Sequence, residues 1–150
     1  MPEPRLLHER REPPAPPRRV VLDSFAMISL LRDERAAPVV EDLLRQARAG
    51  QVELALSTYN LGEVVYRMTR VVGRPAVRRF LQELQGWPVE VIDSDLELIL
   101  MAADLKADHP LSYADAIAAA LAMRLDAEVA TGDPEFLQLE GRIRLLWLER

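Results

Sequence analysis

The 150-residue chain is long enough for one domain with a hydrophobic core, and its 49% hydrophobic content excludes a disordered body. It has no cysteine, which excludes disulfides and thiolate metal sites, and no apolar run reaches the roughly 20 residues that span a bilayer. The net charge of -5 divides into +2 for residues 1–19 and -7 for the remainder, which is too acidic for general nucleic-acid binding through Lys and Arg. We therefore expect a soluble, cytoplasmic protein whose nucleic-acid contacts, if any, depend on local basic patches or on bound metal.

Residues 1–19 differ in composition from the rest of the chain. They contain six of the eleven prolines, mixed with Arg and Glu, and show no apolar periodicity. We expect a disordered Pro/Arg-rich tail at 1–19, followed by a single domain at 20–150.

Short apolar runs and amphipathic helical patterns alternate through the predicted domain. The runs predict five strands, at residues 20–22, 52–57, 89–92, 128–131 and 143–148. Strands separated by helices at these spacings are typical of parallel βαβ crossovers. The sequence therefore predicts an α/β fold, a three-layer α/β/α sandwich around a parallel five-stranded sheet.

Two helix starts have the spacing of a capping box, in which an acid three residues after the cap bonds to the cap's own N–H. The first runs from Asn60 to Glu63, and the second from Ser112 to Asp115. Between them, Asp93 or Ser94 is predicted to cap a helix at 95–106. The predicted buried stripe of that helix consists of Leu96, Ile99, Leu100 and Ala103.

Four acids fall where strands end or helices begin. Asp23 and Asp133 follow the first and fourth strands, and Glu63 and Asp115 lie in first helical turns. The carboxyl ends of parallel strands meet at one rim, where α/β proteins bind ligands. Each acid also fits a local role, as a helix cap, a capping-box acid or a turn residue before Pro134. Those local roles do not explain why all four converge.

Crowded carboxylates must be neutralised. Two like charges about 4 Å apart repel by roughly 4 kcal/mol at an effective dielectric constant near 20. Either bound protons or a divalent cation removes this repulsion. Ligation by oxygen alone, without His or Cys, favours Mg²⁺ or Mn²⁺ over zinc.

The segments around these acids resemble the acidic motifs of PIN-domain ribonucleases, and most closely the VapC toxins of bacterial and archaeal toxin–antitoxin pairs. The segments are VLDSFA at 21–26, NLGEV at 60–64, SYADA at 112–116 and TGDPEF at 131–136. The resemblance implies strand order 3-2-1-4-5 and a Mg²⁺- or Mn²⁺-dependent endoribonuclease. It also implies a homodimer and inhibition by a small VapB-like antitoxin that covers the acidic groove.

The resemblance also implies roles for individual residues. It assigns metal binding and catalysis to Asp23, Glu63 and Asp115, and to Asp133 as a fourth and more variable acid. Ser24 and Thr131 match hydroxyl positions that orient a carboxylate or a water. The role of Glu135 stays open, because an exposed acid in a turn needs no function.

Several other side chains have two interpretations each. Arg67, Arg70 and Arg74 are predicted to lie on roughly one face. Together with Arg78 and Arg79, they either contact the RNA backbone or offset a helix dipole. Tyr113 either stacks on a base or packs. His109 is a weak catalytic candidate, and His8 falls in the tail, so a metal-free histidine pair is not favoured. Trp87 and Trp147 are interpreted as core or dimer packing.

Two other function classes remain open. The first is a PIN fold that binds RNA or a protein partner without cleavage. The second is an aspartyl-phosphate phosphoacceptor or phosphatase domain, which also places Asp at strand ends. That class requires a lysine near the site, and its phosphatases have a second aspartate two residues after the nucleophile. Here Phe25 occupies that position, and Lys106 lies in mid-helix.

Overall fold

The computed structural model describes residues 12–150, and residues 12–17 have no regular secondary structure. Within the described residues, five strands form one parallel sheet in the order β3-β2-β1-β4-β5. This confirms the predicted α/β fold and the 3-2-1-4-5 order. The strands are β1 Arg18–Leu22, β2 Val52–Ser57, β3 Val89–Ile92, β4 Glu128–Thr131 and β5 Arg144–Trp147.

Helices cover both faces of the sheet. Val20 and Leu22 of β1 pack into one core, and Val21, between them, packs into the other, as the two-residue period of a strand requires. The first core contains side chains of α1 to α4, and the second those of α5 and α6, so the domain has three layers. The helices are α1 Ser24–Leu31, α2 Ala37–Arg48, α3 Thr58–Val72, α4 Arg74–Leu84, α5 Leu96–Asp108 and α6 Tyr113–Leu125, and a 3₁₀ helix spans Pro134–Leu139.

The first strand begins at Arg18, two residues before the predicted domain boundary. Arg18 pairs with Val52 of β2 in the strand register, and its guanidinium forms an ion pair with Glu128. Arg19 bonds Glu53 at 2.9 Å. These cross-strand contacts explain why two arginines of a charged segment join the sheet. Residues 1–11 of the predicted tail lie outside the described residues.

The predicted capping box at Asn60 is wrong, because α3 begins earlier. Ser57, the last residue of β2, is the N-cap, and its Oγ accepts a hydrogen bond from the Asn60 N–H at 2.9 Å. Asn60 is itself fully buried in the first turns of the helix. The side chains of Asn60 and Glu63 are therefore available for contacts with other elements.

The predicted cap of α5 is wrong, and its predicted stripe is half right, because Ile99 and Ala103 are partly buried but Leu96 and Leu100 are exposed. Asp95 caps the helix by accepting a hydrogen bond from the Leu98 N–H at 2.8 Å. Leu98 belongs to the buried face, whereas Leu96 is 72% exposed and Leu100 is 59% exposed. Nearly every residue from 96 to 103 is apolar, so periodicity alone does not select the buried face.

Among the described residues, no helix has the length and apolarity needed to cross a membrane.

Candidate functional site

A cavity of about 350 Å³ opens at the carboxyl end of the sheet, and all four predicted acids line it. Asp23 follows β1, and Asp133 follows β4 by way of Gly132. Glu63 and Asp115 reach the cavity from α3 and α6. The parallel arrangement of the strands therefore brings together carboxylates that are up to 110 residues apart in the sequence, from Asp23 to Asp133.

Asp23 is almost fully buried at the N-terminus of α1. Its Oδ1 accepts a hydrogen bond from the Ala26 N–H at 2.9 Å, so the predicted helix-cap role is present as well. Burial raises the pKa of Asp23 to about 7, and the charges of Asp133 and Glu63 act in the same direction. Hydrogen bonds from Thr131 and Ala26 oppose the rise. This carboxyl therefore keeps its proton to a higher pH than an ordinary exposed aspartate does.

Asp115 lies in the first turn of α6, and its N–H donates to Ser112 Oγ at 3.2 Å. The return bond of the predicted capping box is made by a different acid, because the Ser112 N–H donates to Glu135 Oε2 at 3.0 Å. Burial is the main cause that raises the pKa of Asp115 to about 8. The charge of Asp133 and the hydrogen bond to Glu135 raise it further. The Asp115 carboxyl thus faces other acids.

Glu135 completes the tightest acid group in the described part of the chain. Asp115, Asp133 and Glu135 each offer a carboxylate oxygen, and these three oxygens lie within 4.8 Å of one another. The Asp133 N–H donates to Thr131 Oγ1, and the Glu135 N–H donates to Asp133 Oδ1, each at 3.0 Å. The side chain that sequence reasoning left open therefore lies among the predicted acids.

Glu63 is held by the hydroxyl of Ser24, which donates to Glu63 Oε2 at 2.8 Å. Ser24 is nearly buried in the first turn of α1. Its predicted position beside a carboxylate is thus observed, with Glu63 as the carboxylate. The Arg67 guanidinium lies 3.5 Å from the other Glu63 oxygen.

Asn60 is a site residue that sequence reasoning missed. Its side-chain NH₂ donates to Ser24 Oγ and to the Ala114 carbonyl, both at 3.1 Å, and its Oδ1 accepts from Ser57 Oγ at 2.6 Å. The amide therefore links α1, α3 and α6, the helices that carry or adjoin three of the acids. A signal was present, because Asn60 is a polar residue in helical phase with buried Val64.

Gly132 is the second residue whose role was missed. A Cβ at this position would lie 2.5 Å from the Phe25 ring and 2.6 Å from the Leu148 carbonyl oxygen. Only a hydrogen atom fits there, so the chain passes from Thr131 to Asp133 in close contact with two other elements. Arg150 Nε also donates to the Gly132 carbonyl at 3.1 Å.

The three candidate arginines do not share one face. Arg67 lines the acidic cavity, and the Arg70 guanidinium lies 5.3 Å from the centre of the Tyr66 ring. Arg74 belongs to α4, because Gly73 ends α3 with a φ of 83°. The arrangement on roughly one face is therefore wrong. Arg78 and Arg79 are exposed on α4, and sequence reasoning missed Arg32 and Arg150 as cavity residues.

The remaining candidates lie in other surroundings. Tyr113 stacks on Tyr59, with ring centres 5.8 Å apart. His109 lies 3.4 Å from the Arg142 guanidinium and does not line the acidic cavity among the described residues. Trp87 packs edge-on against Phe80 in the core, whereas Trp147 is 44% exposed at the end of β5. His8 lies outside the described residues.

The lysine required by a phosphoacceptor site is engaged elsewhere. Lys106 Nζ donates to the Leu111 carbonyl at 2.6 Å and so ties α5 to the loop before α6. The Phe25 ring, at the position of a second phosphatase aspartate, packs against Gly132 and the Arg150 guanidinium. These contacts do not favour aspartyl-phosphate chemistry.

A family model described as "PIN domain" matches residues 20–141. The chain belongs to the PIN domain family. No curated protein matches the chain significantly.

Solved structures share this fold at low sequence identity. VapBC2 from Rickettsia felis, bound to a DNA fragment from their promoter, has a TM-score of 0.70 at 14% identity, covering 87% of this chain and 99% of that one. A toxin–antitoxin complex from Klebsiella pneumoniae has a TM-score of 0.61 at 19% identity, covering 85% and 95%. VapC20 of Mycobacterium tuberculosis, a sarcin-ricin loop cleaving toxin, has a TM-score of 0.66 at 17% identity, covering 81% and 95%.

Proposed function

We propose that this PIN domain is a metal-dependent endoribonuclease that hydrolyses RNA phosphodiester bonds and acts as the VapC-type toxin of a toxin–antitoxin pair. The observation that carries the proposal is the convergence of Asp23, Glu63, Asp115 and Asp133 in one cavity. Family membership supports it, as does the shared fold with a sarcin-ricin loop cleaving toxin.

The donor set fits a hard divalent cation. Within the described residues, the tightest group offers three carboxylate oxygens within 4.8 Å of one another, and its members are Asp115, Asp133 and Glu135. Mg²⁺ and Mn²⁺ prefer oxygen ligands of this kind. Asp23 and Asp115 hold protons at unusually high pH because both carboxyls are buried, and the charges of neighbouring acids add to this effect. We infer that Asp23, Glu63, Asp115 and Asp133 hold Mg²⁺ or Mn²⁺, with Glu135 beside them.

Such an ion, when bound, polarises the phosphodiester and lowers the pKa of a bound water. The surrounding residues of the chain fix the acids in place. Ser24 orients Glu63 through its hydroxyl, and Asn60 orients Ser24. Thr131 holds the backbone of Asp133 and bonds Asp23. Preorganised ligands of this kind reduce the reorganisation needed during hydrolysis.

We propose arginine side chains as the contacts to the RNA backbone. Arg67 lines the cavity beside Glu63. Arg70 follows it on α3, and Arg74 is the first residue of α4. A guanidinium binds a phosphate through two parallel hydrogen bonds and so offsets repulsion between RNA and the acids.

We also propose a small VapB-like antitoxin as the protein partner and a homodimer as the toxin's own assembly. The similarity to VapBC2 and to a toxin–antitoxin complex supports the antitoxin partner. The homodimer is proposed from the resemblance of the acidic segments to VapC toxins. An antitoxin segment that covers the acidic cavity would block access of RNA to the acids.

Cleavage of structured RNA tests the proposed function. We expect the purified protein to cut with Mn²⁺ or Mg²⁺, to stop with EDTA, and to lose activity as Asp115→Asn, which keeps the size of the side chain and removes its charge. Circular dichroism should show an unchanged fold for this variant. Equal cutting by parent and variant would contradict the proposal, and RNA binding by the parent without any cutting would favour a non-catalytic PIN domain.

A further inference from the structure

Arg150 brings a guanidinium to the acidic cavity from the segment that follows β5, and it lines this cavity together with the four acids. Its Nε donates to the Gly132 carbonyl at 3.1 Å, and Gly132 directly precedes Asp133. The guanidinium also lies 6.0 Å from the centre of the Phe25 ring, at the outer limit of a cation–π contact. The cation is therefore held next to the backbone that carries a proposed metal ligand.

The backbone that leads to Arg150 is anchored to the rest of the domain. The Leu148 N–H donates to the Thr131 carbonyl at 2.8 Å, which extends the pairing of β5 with β4, and the Leu148 side chain is buried. The Glu149 carboxylate forms an ion pair with Arg35 at 2.8 Å. The position of the Arg150 backbone beside the cavity is therefore set by contacts within the protein.

The hydrogen-bonding capacity left on its guanidinium distinguishes Arg150 from the other two arginines of the cavity. Arg67 lies 3.5 Å from Glu63, and Arg32 lies 3.4 Å from Glu34, so a carboxylate already faces each of them. Within residues 12–150, Arg150 forms no ion pair, and Nε is its only side-chain donor in a hydrogen bond. A guanidinium has five N–H groups, so four of them, on Nη1 and Nη2, can bind a ligand.

We propose that Arg150 binds the two non-bridging oxygens of the scissile phosphodiester and holds this group at the acid cluster. Two N–H groups on neighbouring nitrogens of a guanidinium match two oxygens of one phosphate. The carboxylates around the cavity would repel the same phosphate, and a cation in the cavity wall offsets that repulsion. The proposal rests on the proposed ribonuclease function and adds to it a substrate-binding residue that is not a metal ligand.

Cleavage kinetics of three full-length variants test the role of Arg150. Arg150→Gln removes the charge and the paired N–H groups, so we expect kcat/KM for RNA cleavage with Mn²⁺ to fall by about 100-fold. Arg150→Lys keeps the charge but cannot form two parallel hydrogen bonds, so it should recover only part of the loss. Arg35→Gln is the matched control, because Arg35 pairs with Glu149 but lies outside the described lining of the cavity. This control should cut like the parent.

Two measurements that do not depend on cleavage separate phosphate binding from a structural role. Thermal unfolding at increasing Mn²⁺ concentrations should show unchanged or tighter Mn²⁺ binding by Arg150→Gln, because a positive charge beside the acids has been removed. Fluorescence anisotropy of a labelled oligouridylate is measured in the Asp115→Asn background, which removes turnover. There Arg150→Gln should bind roughly tenfold more weakly, and the slope of log affinity against log salt concentration should decrease in magnitude by about 0.7 to 1.

Two results would overturn the assignment of Arg150. In the first, Arg150→Gln keeps the parental cleavage rate and the parental salt dependence of binding. In the second, its loss of cleavage is accompanied by an equal loss of Mn²⁺ affinity, which would restrict Arg150 to supporting Asp133 through the Gly132 carbonyl. A parent protein that shows the Arg150-dependent salt slope but cuts no RNA would uphold phosphate binding and contradict only the ribonuclease activity.

Discussion

The Glu135 carboxylate accepts a hydrogen bond from the Ser112 N–H at 3.0 Å, and this contact decides how Asp115 is used. In a simple capping box Asp115 would accept that bond and have a purely structural role. Because Glu135 accepts it, the Asp115 carboxyl is available for the acidic cavity, where its pKa rises to about 8. The helix cap and the acid cluster therefore share one residue, Glu135.

A Glu135→Gln substitution separates these two roles. The amide oxygen of Gln can still accept from the Ser112 N–H, so we expect little loss of stability without metal. Removing the charge should weaken Mn²⁺ binding by about tenfold, the lower end of the effect seen when groups supporting a metal ligand are replaced. Thermal unfolding at increasing Mn²⁺ concentrations measures both quantities. A Gln variant with parental Mn²⁺ affinity would restrict Glu135 to helix capping.

The metal-free protein should become less stable as the pH rises from 5 to 8.5. Asp23 and Asp115 have raised pKa values in the folded protein, about 7 and about 8, so the folded state binds protons that the unfolded state has already released. Their contribution to stability is complete below about pH 4 and is lost as the pH rises through these values. The pKa of Asp95 is lowered, so its effect on stability falls at a pH below the 5–8.5 range.

The melting temperature in EDTA measures this pH dependence. We expect a lower melting temperature at pH 8.5 than at pH 5, by roughly 2–4 °C for each kcal/mol of lost stability. Mn²⁺ should reduce the difference, and Asp115→Asn should reduce it without metal. A metal-free melting temperature that is constant or rises between these pH values would show that the pKa values of Asp23 and Asp115 are not raised in the folded protein.

Asn60 should act as a positioning residue for Ser24 and hence for Glu63. Replacing Asn60 with Ala leaves the Ala114 carbonyl and Ser24 Oγ without the amide donor, at a cost of about 1–3 kcal/mol. Asp95→Ala, which removes the α5 cap and does not line the acidic cavity, is the matched control and should cost about 1 kcal/mol. Only Asn60→Ala should also raise the Mn²⁺ concentration needed for half-maximal cleavage. An equal shift in both variants would indicate a purely structural role.

Gly132→Ala should destabilise the protein, because its Cβ would meet the Phe25 ring and the Leu148 carbonyl at 2.5–2.6 Å. Overpacking of this kind costs about 1–3 kcal/mol. Gly62→Ala is the matched control, since its Cβ meets nothing within 4 Å in the interior of α3, and it should stabilise by up to about 1 kcal/mol. Urea unfolding of both variants measures the change in the free energy of unfolding, which should have opposite signs in the two variants. A neutral Gly132→Ala would show that the contact relaxes easily.

The sequence was informative where a feature depends on neighbouring residues and their order. Apolar runs marked the strands, and the acids following them marked the rim, because parallel strands end at one edge. Asn60 and Glu135 were harder, since their roles depend on contacts with α6, made by residues 54 and 23 positions away. The helical spacing of Asn60 and Val64 places Asn60 on a buried face, but it does not show which groups the side chain contacts.

Two other errors have physical causes of the same kind. The buried face of α5 is chosen by packing, because its sequence is apolar on several sides and Leu98 and Leu96 have equal hydropathy. Arg74 was grouped with Arg67 because both follow one helical spacing, but Gly73 ends the helix between them. Helical spacing predicts a shared face only for residues that lie on the same helix.

The central claim is that the crowded acids bind a hard dication. Calorimetric titration of Mn²⁺ into the metal-free protein at pH 7.5, in two buffers of different ionisation enthalpy, tests it most directly. We expect binding with net proton release, because Asp23 and Asp115 hold protons near this pH, and much weaker binding by Asp115→Asn. A folded parent protein that binds neither Mn²⁺ nor Mg²⁺, or an Asp115→Asn variant with parental affinity, would contradict the claim.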